Sequence, residues 1–400
     1  MAEASPSVLA VIVTYASDLD VLERELVSLQ GQSYRNLHVQ ILDNASANAR
    51  EVHAVAERHG ADFLPMHDNR GIPKAINTAA RRTAADFLLA LNNDIVLEPT
   101  AVEEMVAVAE ARPACAAVAP KTYLAQFPGY FDNVGTLLNE RYSAYNRGIG
   151  EPDIGQYDVS ERTFGACFAA ALLRRDVYLD IGGLEEVLFA YYEDVDWSYR
   201  ANMRGFEVWT APKALVTHHH SHAWQQESHL RKYFFIQRNL LRSALWNLRP
   251  RALLRTLFAR YEEHARRLWL DAAYRGVTLD VLVAHLGDLV VAWPSRMRHQ
   301  RGRVLPDHPI LRYSYGSVSN FDPVEYRPEY TLTNLLQTYT RLSEVTLRDR
   351  HRQVAEALRT MHARRHSLPV EHIRERLTEL LAGEPPIIQG FLSQLERDRA

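Results

Sequence analysis

The sequence predicts an α/β protein: a mostly parallel sheet flanked by helices in the N-terminal half, continued by a helix-rich C-terminal part. Three observations carry this expectation. Apolar runs of strand length alternate with segments whose apolar residues recur at helical spacing. The polar residues of that half gather where the predicted strands end. Beyond about Trp224 the strand-like runs give way to long helical patterns rich in arginine.

Residues 8–13 form a continuous apolar run that ends in Thr14 and Tyr15, the pattern of a parallel strand buried on both faces. Leu22, Leu26 and Leu29 then recur at helical spacing until Gly31, and residues 37–42 make a second strand that closes in Asp43 and Asn44. Val52, Val55 and Ala56 mark the next helix, and residues 62–66 the next strand. After Asn69-Arg70-Gly71 comes a helix carrying Ile72, Ala75, Ile76 and Ala79. Residues 87–91 are the fourth strand, running into Asn92-Asn93-Asp94. Strands joined in this way by helices imply right-handed crossovers and a parallel sheet. Further on, residues 195–204 read as a helix closed by Gly205 and residues 214–217 as a short strand.

The strand endings Thr14-Tyr15, Asp43-Asn44, Asn69-Arg70-Gly71 and Asn92-Asn93-Asp94 would share the carboxyl edge, where open α/β sheets bind ligands. Each alone is also ordinary turn chemistry. No G-x-G-x-x-G follows the first strand, where Thr14-Tyr15-Ala16-Ser17-Asp18 stands instead, and no P-loop signature occurs. Phosphates bound at this edge must be neutralised by something else, and Asp94 is the candidate, through a divalent cation. A second cluster, Tyr191-Tyr192-Glu193-Asp194-Val195-Asp196-Trp197, precedes Thr217-His218-His219-His220. Carboxylates at a helix start with histidine a strand later suit both metal binding and proton removal; a solvated acidic turn and a surface histidine run are the alternative.

Composition narrows the class. The chain has 400 residues, 47% hydrophobic and 24% charged, which is ordinary for a soluble globular protein of two domains or of one large domain with an extension. A formal net charge of −3 argues against nucleic acid as partner. The two cysteines, Cys115 and Cys167, offer neither a disulfide framework nor zinc-type spacing. With no lysine or arginine before Arg24 and no secretory pattern, a cytoplasmic protein is expected.

Val11-Ile12-Val13-Thr14-Tyr15, Asp43-Asn44-Ala45-Ser46, Asn69-Arg70-Gly71-Ile72 with Asn77, Leu91-Asn92-Asn93-Asp94, Gly165-Ala166-Cys167, Gly182-Gly183-Leu184, and Tyr192-Glu193-Asp194-Val195-Asp196 with His218 occur in that order. Over roughly residues 7–224 the chain thereby resembles the inverting family 2 glycosyltransferases of GT-A fold, rhamnosyl- and galactofuranosyltransferase-like members in particular. The resemblance implies that Thr14, Tyr15 and Asp43 hold a nucleotide, Asp43 accepting a hydrogen bond from the base. It places Asn44, Asn69, Gly71, Asn77, Asn92 and Asn93 on the donor side as well. Asp94, the last position of a D-x-D motif, would bind Mg²⁺ or Mn²⁺ on the diphosphate, with His218 completing the site. Here Asn92 and Asn93 stand where many relatives carry acids. Asp194 would be the general base, and Glu193 and Asp196 would contact the acceptor or orient that base. Gly165 and Ala166 would lie beside the donor sugar. His219, His220 and His222 are spares or acceptor contacts, because neighbours on a strand point to opposite faces.

The implied domains are residues 1–224, the transferase, and 225–400, helices for acceptor, oligomer or membrane-surface contacts. In the second part Tyr233-Phe234-Phe235-Ile236 leads into Arg238-Asn239. Residues 281–293 read as too short an apolar run to span a bilayer, so that an arginine-rich amphipathic segment lying on the membrane face, a core or a dimer contact are the readings. Residues 303–328 read as an irregular connection or a loop over the acceptor cleft. The expected function is metal-dependent transfer of a sugar from a UDP- or dTDP-sugar, such as rhamnose or galactofuranose, to a glycan or lipid-linked hydroxyl. A catalytically silent sugar-nucleotide-binding or scaffold protein is the alternative. A nucleotidyltransferase is disfavoured for want of a basic glycine-rich loop after the first strand.

Overall fold

The apolar runs become the central strands of the sheet. The computed structural model describes residues 5–220, 229–307, 310, 328–346, 348–364, 369–386 and 388–389. Its first half runs β1 (Val8–Thr14), α1 (Leu19–Gln30), β2 (Leu37–Asp43), α2 (Ala49–Arg58), β3 (Asp62–Pro65), α3 (Gly71–Arg82) and β4 (Phe87–Asn92). These four strands pair in parallel, as the alternating pattern implies, and stand in the order β4-β1-β2-β3. Every residue of β1 is buried, because α1 and α2 cover one face of the sheet and α3 the other. Asp18 caps α1 by accepting hydrogen bonds from the backbone N–H groups of Asp20 and Val21.

The sheet is mixed beyond β4. Next come β5 (Ile95–Leu97), α4 (Ala101–Glu110), β6 (Cys115–Leu124), β7 (Phe131–Asn133), β8 (Thr136–Leu138), β9 (Ala144–Asn146), β10 (Arg162–Thr163), β11 (Ala170–Arg174), α5 (Arg175–Asp180), α6 (Glu193–Met203) and β12 (Glu207–His218). β11 enters antiparallel between β4 and β6, β12 lies parallel to β6, and β5 pairs antiparallel with the end of β12. Alanine is poor strand material, so the alanine-rich β6 and β11 carry no β signal of their own and are strands only through their neighbours. The short strand expected at 214–217 is the end of the longer β12, whose register shifts between Ala211 and Leu215, around Pro212.

Six longer helices follow: α7 (His229–Asn247), α8 (Pro250–Leu270), α9 (Arg275–Gln300), α10 (Pro328–Thr346), α11 (Asp349–Arg364) and α12 (Val370–Leu380). The expected boundary at residues 224 and 225 lies outside the described residues, as does most of the 303–328 connection. α7 is no separate domain, since its Leu240, Leu241 and Ala244 share one core with Tyr192, Val195 and Tyr199 around α6. One expectation is corrected. The apolar run at 281–293 belongs to the 26-residue α9, a helix long and apolar enough to cross a membrane by length and composition alone.

The loop that feeds α6 holds three non-glycine residues at positive φ: Phe189 (67°), Tyr191 (66°) and Tyr192 (70°). Such backbone costs free energy and persists only where its surroundings enforce it. On one side Ile72 N–H donates to Phe189 O at 3.0 Å, and Gly71 sits so close that a Cβ there would lie 2.0 Å from the same oxygen. On the other side the buried Asn239 amide of α7 donates to Leu188 O at 2.9 Å, Ala190 O at 2.9 Å and Tyr191 O at 2.8 Å. Arg238 in turn donates to Asn239 Oδ1 at 2.9 Å. We expect Asn239→Ala, which removes this shared donor from the turn, to lower unfolding free energy by about 2–3 kcal/mol. Urea denaturation with an unchanged m-value checks this, and a loss below about 0.5 kcal/mol would show that the loop holds itself.

Candidate active site

The strand-end edge assembles as the sequence suggests, with the polar groups packed more deeply than expected. Thr14 Oγ1 donates to Asp43 Oδ1 at 2.9 Å, and Ser46 N–H donates to Asp43 Oδ2 at 2.9 Å. The Ser46 hydroxyl also reaches Asp43 Oδ1 and accepts from Ala16 N–H at 3.0 Å. Thr14 and Asp43 have no exposed surface, and Asp43, expected to accept a hydrogen bond from a base, ties the two loops together. Asn44 is buried too. Tyr15, 53% exposed, is the group of this set that offers a face to a ligand. The loop turns through Ala16 and Ala45, both at positive φ.

At the end of β4 the chain turns through Asn93 and Asp94 into β5, and the pairing of β5 with β12 sets His218 opposite Ile95. Asp94 and His218 thereby meet in the interior, His218 Nε2 lying 3.2 Å from Asp94 Oδ1. Behind the ring, Nδ1 lies 2.8 Å from Oδ2 of the buried Asp132 on β7, whose Oδ1 is 3.3 Å from His220 Nε2. The His220 ring stacks on His218, with centroids 3.8 Å apart. Burial alone would lower the His218 pKa, but hydrogen bonds and charge from Asp132 and Asp94 raise it to about 10. The same contacts overcome burial at Asp132 and hold its carboxyl well below the usual range.

These donors fit a divalent cation. A proton on Nδ1, donated to Asp132, leaves the Nε2 lone pair aimed where Asp94 Oδ1 is aimed. Adjacent ligands of an octahedral cation with bonds of about 2.1 Å stand about 3.0 Å apart, close to the observed separation. An imidazole in the set favours Mn²⁺ over Mg²⁺. Asp132, His218 and His220 form a second grouping of donors within ligand reach of one another, so His220 belongs to the cluster, whereas His219 does not. His219 instead gives its N–H to Asp94 O at 3.0 Å. His222 lies outside the described residues.

The third group is the start of α6, which begins at Glu193, so Asp194 lies inside its first turn. Asp194 Oδ1 accepts from Val195 N–H at 2.7 Å, and the Phe168 N–H supports it as well. Asp194 keeps partial access to solvent, while Glu193 is 6% exposed. Burial raises the Asp194 pKa to about 6; burial and then the Asp194 charge raise that of Glu193 higher still. Of the two carboxyls Glu193 therefore holds its proton the more firmly. The half-buried Cys167 thiol is pushed up by desolvation and then by the charges of Asp194 and Asp132.

Several expected ligand contacts prove to be struts. Asp196 is wholly buried, paired with Arg200 Nε at 2.8 Å and accepting from Ser243 Oγ at 2.8 Å and Asn247 Nδ2 at 2.7 Å, which bolts α6 to α7. It has no surface to offer an acceptor. Asn77, expected on the donor side, holds the Gly182-Gly183-Leu184 turn, donating to Leu184 O at 2.8 Å and accepting from Leu184 N–H at 2.9 Å. Asn69 Oδ1 accepts from Gly71 N–H at 3.0 Å, opening α3. A Cβ on Gly165 would lie 2.6 Å from Ser198 Oγ, so this glycine lets its loop approach α6, and Ala166 is core. Asn92 and Asn93 stay partly exposed at the edge, Asn93 donating to Ser17 Oγ. Sequence reasoning missed Asp132 and Glu25; the latter is buried on α1, its pKa raised by burial and by Asp94. An acid inside the aromatic-apolar stretch 130–134 was the available hint for Asp132.

A family model described as glycosyltransferase-like family 2 matches residues 6–234. Among curated proteins, N-acetylglucosaminyl-diphospho-decaprenol L-rhamnosyltransferase of Mycobacterium tuberculosis is 28% identical over 253 residues, 56% of this chain and 80% of that protein. The O-antigen biosynthesis protein RfbC of Myxococcus xanthus is 25% identical over 221 residues, 53% of this chain but 17% of its own. Among solved structures, that of GalNAc-T7 with UDP, GalNAc and Mn²⁺ superposes with a TM-score of 0.53 at 13% identity, covering 73% of this chain and 58% of that one.

The donor cluster makes a prediction independent of turnover. Mn²⁺ binding followed by electron paramagnetic resonance should be lost in Asp94→Ala and His218→Ala, and weakened about 10–100-fold in Asp132→Asn, which removes the negative charge that backs the ring. Because His218 is protonated without an ion, binding must displace that proton, and affinity should rise between pH 6 and pH 8. Affinity that ignores both pH and Asp132→Asn would place the ion elsewhere.

Proposed function

Since the chain belongs to glycosyltransferase-like family 2 and is a glycosyltransferase of GT-A fold, we propose that it moves a sugar from a UDP- or dTDP-sugar to a glycan or lipid-linked hydroxyl, with inversion at the anomeric carbon. The observation that carries this reading is the buried Asp94–His218 pair, 3.2 Å apart at the strand ends, in a chain whose partly exposed Asp194 opens α6. The rhamnosyltransferase and O-antigen relatives support a rhamnose-type donor and a role in building cell-envelope polysaccharide. The mycobacterial relative's name supports a diphospho-polyprenyl-linked acceptor.

In this reading Tyr15 packs against the nucleotide base on a loop that Asp43 and Ser46 hold rigid. Asp94 and His218 would hold Mn²⁺ or Mg²⁺, which would supply positive charge to offset that of the diphosphate leaving group. Asn92 and Asn93 contact the donor from the same edge. Asp194 takes the proton of the acceptor hydroxyl while that oxygen forms its bond to the anomeric carbon and the bond to the diphosphate breaks. A base with pKa near 6 is ionised at neutral pH yet basic enough to accept the proton, and the environment of Asp194 supplies that balance. Glu193, neutral beside it, keeps a second charge from raising Asp194 further.

The test is release of nucleoside diphosphate from a panel of UDP-, dTDP- and GDP-sugars with polyprenyl-diphosphate-linked acceptors, with product NMR for anomeric configuration. Asp194→Asn should cut the rate by about 10²–10⁴ with donor affinity retained. The wild-type rate should fall as pH drops through about 6, where Asp194 protonates, and the residual Asp194→Asn rate should lack that limb. Nucleotide binding without turnover on any acceptor would favour a silent binding protein; a retained anomer would remove single displacement.

A further inference from the structure

We propose that the outward faces of α8 and α9 form a docking surface for an anionic phospholipid bilayer, lying in its headgroup and upper acyl layer. The proposal rests on an inversion of polarity. On α9 four of the six buried residues are polar, Thr278, His285, Asp288 and His299, beside Val281 and Ala292, with His285 1% and Asp288 4% exposed. Turned outward are Leu279, Val283, Leu286, Val290, Trp293 and Met297, with Val290 81% and Trp293 66% exposed. The outward six recur every three or four residues, so they form one stripe along the helix. α8 repeats the pattern: Thr256, Arg260 and His264 are buried, while Leu254, Phe258 and Trp269 are exposed. A helix in water puts its polar stripe outside, and two adjacent helices doing the reverse mark a face whose solvent is not water.

The inward residues have partners that prevent the helix from rolling over. Arg242 of α7 donates to Asp288 Oδ1 at 2.9 Å, and His299 lies 2.9 Å from both Asn247 Oδ1 and Glu185 Oε1. Turning the apolar stripe inward would break a buried ion pair and strand these groups. The same contacts argue for lying in the interface over crossing it, because α7 covers the inner face and is itself bolted to α6 through Asp196.

Charge selects the bilayer over a second copy of the chain. Residues 250–301 hold nine arginines and five aspartates or glutamates, a balance of +4 in a chain whose formal net charge is −3. Arg251, Arg255, Arg266, Arg275 and Arg301 are exposed along this part of the chain. Two copies meeting through this face would bring like charges together, whereas lipid phosphates would neutralise them. The docking face does not depend on the donor or on Asp194, and its failure would leave the proposed reaction standing.

The test uses the full chain with vesicles of phosphatidylcholine, with and without phosphatidylglycerol, in flotation assays. The wild type should float with anionic vesicles, with a blue shift of tryptophan emission, and bind at least tenfold less to zwitterionic ones. The double variant Val290→Glu with Trp293→Glu should lose at least tenfold in partitioning while its far-UV spectrum and nucleoside diphosphate affinity stay unchanged. Arg251→Gln with Arg255→Gln should weaken anionic binding only, as should high salt. Equal flotation of the outward-stripe variant, or a lipid-free dimer that this variant splits and that ignores vesicles, would overturn the proposal.

Discussion

The strained turn before α6 is the constraint on which the rest of the arrangement depends. Three residues between Phe189 and Tyr192 adopt left-handed backbone without being glycine, which an isolated chain would abandon. They stay because α3 presents Gly71 and Ile72 on one side and α7 presents Asn239 on the other. The product of that clamp is the direction in which Glu193 and Asp194 enter α6. A helix N-terminus stabilises an anion there, but burial outweighs it, so the Asp194 carboxyl ends above its ordinary value while ionising near neutrality.

The clamp also explains why the C-terminal helices cannot be regarded as an appendage. α7 closes the turn through Asn239 and holds α6 through Ser243 and Asn247 on Asp196. It then passes the same rigidity outward, through Arg242 on Asp288, to α9. A continuous series of buried polar contacts thus runs from the start of α6 to the helix whose outer face is apolar. The surface proposed to meet lipid and the residue proposed to meet the acceptor share one rigid support.

The cation cluster depends on topology in a different way. Asp94 follows β4, His218 ends β12 and Asp132 lies on β7, three strands far apart in sequence. Pairing of β5 with β12 and of β7 with β6 brings them together, and β6 pairs with β12 to complete the contact. Burial then makes the cluster electrostatically extreme: with carboxylates facing both ring nitrogens, His218 holds its proton firmly until another cation replaces it.

Much of this was legible in the chain itself. The pattern of apolar residues determined β1 to β4 and their parallel sense, because strands buried on both faces, as β1 and β4 are, must be continuously apolar and helices covering them must be apolar on one stripe. Family-like motifs marked Asp94, Asp194 and His218. Tertiary structure alone decided which polar residues have surface to offer: Asp43, Asn77 and Asp196 look like ligands in sequence and are buried and hydrogen-bonded within the fold, since a motif records residue type but not hydrogen-bond partners. It alone decided that Asp132 backs His218, because strand pairing between distant segments leaves no local pattern. It also decided that α9 faces apolar side out, since the 3.6-residue period shows that a helix has two faces but not which one its neighbours cover.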